Sequence, residues 1–104
     1  MTLAATRRIS KVDLWLIRTA LHYLRTLAEG NYQNPALVNE VLDRVRVAER
    51  NFAVVTEEAN VETAVAFPAN DVRAAVMALE EMHDSYSDDP IGPALLDVLN
   101  KLKG

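Results

Sequence analysis

Apolar residues recur along positions 14–28 with the period of an α-helix. At about 100° per residue, Leu14, Leu16, Ile17, Ala20, Leu21, Leu24, Leu27 and Ala28 fall within an arc of roughly 160°. Lys11, Trp15, Arg18, Thr19, His22 and Thr26 project from the other side. This spacing predicts an amphipathic helix over about 10–29. Ser10 supplies a hydroxyl for the N-cap, and Asp13, three residues on, suits the positive end of the helix dipole. Gly30 is expected to end the helix. The link Gly30-Asn31-Tyr32-Gln33-Asn34-Pro35 then reads as an αα-hairpin turn: a left-handed glycine, an asparagine cap, and a proline at the first position of the next helix.

From Pro35 onward Val38, Val41, Val45, Ala48, Phe52, Val55 and Ala59 repeat at alternating steps of three and four, which predicts a second helix over about 35–59. A further apolar line, Val47, Val54 and Val61, recurs every seven residues away from that seam. Val61, Thr63, Val65 and Phe67 alternate as a strand would, but Ala59, Ala64 and Ala66 continue a helical composition. A helix with a break near Asn60 is the preferred reading there. Pro68 stops this segment. Asn70 or Asp71 is expected to cap a third helix whose face is Val72, Ala75, Val76, Leu79, Met82, His83 and Tyr86. After a loop over 85–93, a last helix shows Leu95, Val98, Leu99 and Leu102 on one side and ends in Lys101 and Lys103, as a helix C-terminus prefers.

The prediction is therefore an all-α fold: a single-domain bundle of about four helices spanning residues 1–104, opened by a helical hairpin. Composition agrees, with fifteen alanines, thirteen leucines and twelve valines against three glycines. Half of the 104 residues are apolar, enough for one modest core. The absence of cysteine excludes disulfides, thiolate zinc sites and thiol nucleophiles, and fits a cytoplasmic protein. No stretch approaches the roughly 18 apolar residues of a membrane span. Eight arginines against three lysines point to a GC-rich bacterial or phage gene.

Charge alters the picture through its distribution. The net charge is −4, yet residues 1–30 carry five basic against two acidic side chains, while residues 54–104 carry ten acids against three bases. The expectation is that this polarity is met inside the bundle, with Arg18 and Arg25 facing the acids of the third and fourth helices.

Catalytic patterns are sparse. Glycines at 30, 92 and 104 cannot form a phosphate-binding loop. The adjacent acid pairs Glu57-Glu58, Glu80-Glu81 and Asp88-Asp89 point about 100° apart on a helix and cannot share a substrate atom. Glu80 and His83 have the Glu-x-x-His spacing of di-iron bundles, but the second copy such a site requires is missing, so His83 reads as structural and no metal or other cofactor is implied. Neither histidine has a nucleophile evident beside it, and an enzyme is not expected.

Trp15 carries the functional expectation. A tryptophan on a polar helix face beside arginine matches the composition of interface hot spots, and a second apolar line on the second helix needs a second partner. Lys11, Trp15, Arg18 and His22, with Val47, Val54 and Val61, are the candidate partner-binding residues. They describe a non-enzymatic interaction module, an adaptor, inhibitor or regulatory subunit, that binds another protein or a second copy of itself. The alternative is a DNA-binding regulator that uses a basic arm, Arg7, Arg8 and Lys11, and the first hairpin, with Arg44, Arg46 and Arg50 as further contacts. Asp43 and Glu49 lie within pairing reach of those arginines, which favours solvated ion pairs over nucleic-acid contact.

Overall fold

Each predicted helix is present, and a short two-stranded ribbon joins them. The computed structural model describes residues 4–31, 35–55 and 61–103, with side chains over 6–26, 38–52 and 61–103. The order is β1 (Ala4–Ile9), α1 (Lys11–Asn31), α2 (Pro35–Val55), β2 (Thr63–Pro68), α3 (Ala69–Ser85) and α4 (Gly92–Lys103). The helices form a small bundle with α1 at its centre. It packs against α2 on one side and α3 on the other, and α4 lies on α3 and reaches β1. Leu14, Ile17, Leu21 and Leu24 of α1 and Val41, Leu42 and Val45 of α2 belong to one core cluster, and all seven are essentially inaccessible to solvent. Among the described side chains, the apolar faces expected for α1 and α4 are the buried ones.

Ser10 starts α1 as its hydroxyl predicts. The Asp13 amide donates to Ser10 Oγ at 3.2 Å and the Ser10 amide donates to Asp13 Oδ2 at 2.8 Å, a reciprocal cap that satisfies two backbone donors. Both residues are buried, so Asp13 needs a counter-charge. Lys101 on α4 supplies it: its Nζ lies 2.8 Å from Asp13 Oδ2, 2.8 Å from Glu62 Oε2 and 3.4 Å from Asp97 Oδ2. Burial works against the Lys101 charge, but its hydrogen bonds to Asp13 and Glu62 outweigh that and raise its pKa above the ordinary lysine range.

Four expectations are corrected. The helix reading of 61–67 gives way to β2, which pairs antiparallel with β1 in the register Ala5↔Phe67, Arg7↔Val65 and Ile9↔Thr63. Alternation was the true signal: Phe67 is buried and Val65 half-buried, while Ala64 and Ala66 face solvent. As a consequence Val61 does not share a helix with Val47; α2 is described over Pro35–Val55, and its expected end at Ala59 falls on residues 56–60, which lie outside the described residues. Helix α1 passes through Gly30 to Asn31. Neither Asn70 nor Asp71 caps α3, whose N-cap is Pro68 without a side-chain bond; instead Asp71, 2% exposed, accepts a bidentate pair from Arg44 Nε (2.5 Å) and Nη2 (2.7 Å) and ties α3 to α2.

The basic arm is also absent as such. Arg7 and Arg8 belong to β1, where Arg7 Nε donates at 2.7 Å to the carbonyl of Leu102, one of the unpaired acceptors at the end of α4. Arg8 reaches the Glu62 carbonyl at 3.4 Å. At the first residue of α4, a side chain on Gly92 would meet the Ser87 carbonyl oxygen of the preceding loop at 2.9 Å, and only a glycine lets the backbone turn this closely.

Candidate protein-interaction site

Lys11, Trp15, Arg18 and His22 follow the helical spacing of three and four, so the core seam of α1 leaves them together on its outer side, with Arg25 next in the row. Trp15 is 47% exposed and Val12, three residues before it, 38% exposed. The Trp15 carbonyl accepts the Thr19 hydroxyl at 2.8 Å.

Arg18 and Arg25 of this row point towards α2, not towards the acids of α3 and α4 as expected. Arg18 Nε pairs with Glu49 Oε1 at 2.7 Å, and Arg25 Nη1 donates to Asn39 Oδ1 at 3.3 Å. Arg46 Nη2 lies 3.5 Å from His22 Nε2, and Arg46 also reaches Asp43 at 3.6 Å along its own helix. Arg18, Arg46, Glu49 and Arg50 line a shallow depression of about 340 Å³ between the two helices. Among the described residues, the arginines at 18, 25, 46 and 50 thus share one face with the carboxylates of Asp43 and Glu49. His22 registers this: partial burial first, then Arg25, Arg46 and Arg18, lower its pKa below the ordinary histidine value. The exposed acids Glu80, Glu81, Asp84, Asp88, Asp89 and Asp97 lie on α3, α4 and the loop between them.

Val47 sits on the other flank of α2. It is 48% exposed and, with Arg44, Ala48, Asn51 and Phe52, forms one wall of a groove of about 380 Å³ whose opposite wall is Thr63, Ala64, Val65 and Ala66 of β2. Val61, 40% exposed, lies two residues before that strand segment. The Val54 side chain lies outside the described residues. The predicted set therefore divides into two surfaces, a basic row with Trp15 on α1 and an apolar groove between α2 and β2.

No family model, curated protein or solved structure matches the chain. The site must be read from its chemistry alone.

Sequence reasoning placed Arg46 and Arg50 among local ion pairs and so left them out of the interface. Their spacing of four residues puts both on one side of α2, and the hairpin aims that side at the row on α1. Among the described residues no three His, Asp or Glu side chains converge as a metal ion would require, and no helix is long and apolar enough to cross a membrane.

Proposed function

We propose that this chain is a non-enzymatic interaction module, an adaptor, inhibitor or regulatory subunit, that binds another protein through the Trp15 row of α1 and the arginines of α2. The observation that carries the reading is the exposure of Trp15: a large amphipathic ring on a rigid helix, not needed by the core, one turn from the Arg18–Glu49 pair. Tryptophan and arginine are the residues on which interface energy concentrates. The surrounding cations define the partner as an acidic surface that carries an apolar patch for the indole.

Nucleic acid is the second reading, because the same four arginines would attract phosphate. Two observations weigh against it. Arg7 is committed to the end of α4, and the net charge of −4 opposes a polyanion at long range. The discriminating experiment is affinity purification with mass spectrometry, with and without nuclease, using the wild-type chain and the Trp15→Ala variant. A partner retained after nuclease treatment and lost from Trp15→Ala supports the protein reading. A partner that disappears with nuclease overturns it.

A further inference from the structure

The depression between α1 and α2 holds more positive charge than the chain neutralises. Arg18, Arg46 and Arg50 line it together with Glu49, so three guanidinium groups face one carboxylate and two positive charges are left over. Just outside it Asp43, which reaches Arg46 at 3.6 Å, is balanced by Arg25, whose charge bears on His22. The pairs within the chain also leave donors open. Arg18 meets Glu49 through Nε, which turns the carboxylate aside and leaves both terminal amino groups of Arg18 without an acceptor among the described residues. Arg46 Nη2 lies 3.5 Å from His22 Nε2; an arginine can only donate, so the neutral imidazole is the acceptor. Arg50, one turn beyond Arg46, has no acidic partner among the described residues. Like charges gathered on two packed helices repel one another, and an anion placed among them removes that repulsion.

We infer that this depression binds a single phosphoryl dianion, borne by a phosphorylated side chain of the protein partner. The inference rests on the proposed protein-binding role of this face and names the group that the arginines take. Charge selects the dianion: the two uncompensated charges equal those that a phosphomonoester carries just above neutral pH, whereas a carboxylate meets only one of them. Geometry agrees, because a guanidinium fork bonds phosphate oxygens in pairs and the forks of Arg18 and Arg50 are open. Glu49 and His22 already hold Arg18 and Arg46 in place, which lowers the cost of ordering them around the ligand. A polyanion is served less well. Its further phosphates would need further cations, yet Arg7 is committed to the end of α4 and only four residues line the depression. Trp15, one turn before Arg18 in the same row, is placed for an apolar residue of the partner near the phosphorylated one.

The test follows the imidazole resonances of His22 and His83 by NMR at about pH 7.5, where the phosphoryl group is a dianion. The probes are inorganic phosphate, a short phosphoserine peptide, the same peptide with glutamate in place of phosphoserine, and single-stranded oligothymidylate, all at one ionic strength set with sodium chloride. The phosphopeptide is expected to move His22 saturably, to leave His83 on α3 in place, and to bind more tightly than inorganic phosphate and at least about fivefold more tightly than the glutamate peptide. Arg46→Gln and Arg50→Gln, with helix content checked by circular dichroism, should each weaken it by about threefold to tenfold. Arg73→Gln, which removes a cation from the outer face of α3, should not. Repeated over pH, the titration of His22 should move upward when the phosphopeptide is bound, because the dianion offsets Arg18, Arg25 and Arg46 around the ring. A His22 signal that does not saturate, a glutamate peptide that binds equally well, or an Arg50→Gln variant that binds like wild type overturns the inference. Inorganic phosphate binding as tightly as the phosphopeptide would make the ligand a free anion, and oligothymidylate binding more tightly would make it a nucleic acid; either overturns it too. None of these readouts requires Trp15 or a captured partner, so this inference and the protein-binding reading fail separately.

Discussion

At the scale of single residues, Trp15 and His22 illustrate two kinds of surface position. Trp15 is half exposed, so its replacement by alanine should leave the thermal midpoint nearly unchanged while weakening partner binding by roughly 2–4 kcal/mol. Differential scanning and titration calorimetry on one preparation measure both. His22 titrates below its ordinary 6.5 in the folded chain. Above that value the imidazole is neutral in both states and folding is unaffected. As the pH falls beneath it the unfolded chain takes the proton first, so stability declines through that window. Urea denaturation at about pH 7.5 and about pH 5 should show a smaller loss for His22→Gln than for wild type. The exposure of Trp15 was legible in the sequence because it depends only on the angle of one helix. The setting of His22 was not: Arg46 is 24 positions away and reaches it only once the hairpin closes.

Among the elements, those whose pattern is local were the ones that could be read. The Ser10–Asp13 cap and the Leu95, Val98, Leu99, Leu102 face are written within single turns of helix, and both are found as expected. β2 was misread because its alternation competes with three nearby alanines, and its pairing partner lies some 54 to 64 positions earlier in the register. The role of Arg7 was hidden for the same reason. Its acceptor is the Leu102 carbonyl at the opposite end of the chain. Arg7→Ala should cost roughly 1.5–3 kcal/mol in urea denaturation, the range of a hydrogen bond from a charged donor. Arg8→Ala, which loses only an exposed contact at 3.4 Å, should cost a few tenths. Equal, negligible effects would mean that Arg7 is a free surface cation after all. The turn before α4 makes a different demand. Gly92→Ala pushes a methyl against the Ser87 carbonyl and should cost roughly 1–3 kcal/mol, read as a lower denaturation midpoint with unchanged slope.

Across the whole molecule, the first thirteen residues and the last helix are joined by Arg7 to Leu102 and by Lys101 to Asp13, and β1 is completed only by residues beyond 62. This arrangement sets an order in time. The α1–α2 hairpin needs only neighbours in sequence and can close early, whereas the ribbon and the burial of Asp13 must wait for loops that span most of the chain to close. During synthesis Asp13 has no lysine to pair with in this way until Lys101 leaves the ribosome. The last event of folding should be one latch, in which α4 docks and the amides of β1 become protected together. In pulse-labelled hydrogen exchange, the protons of Ala5 to Ile9 should therefore be guarded at the same rate as those of α4, and later than those at the centre of α1.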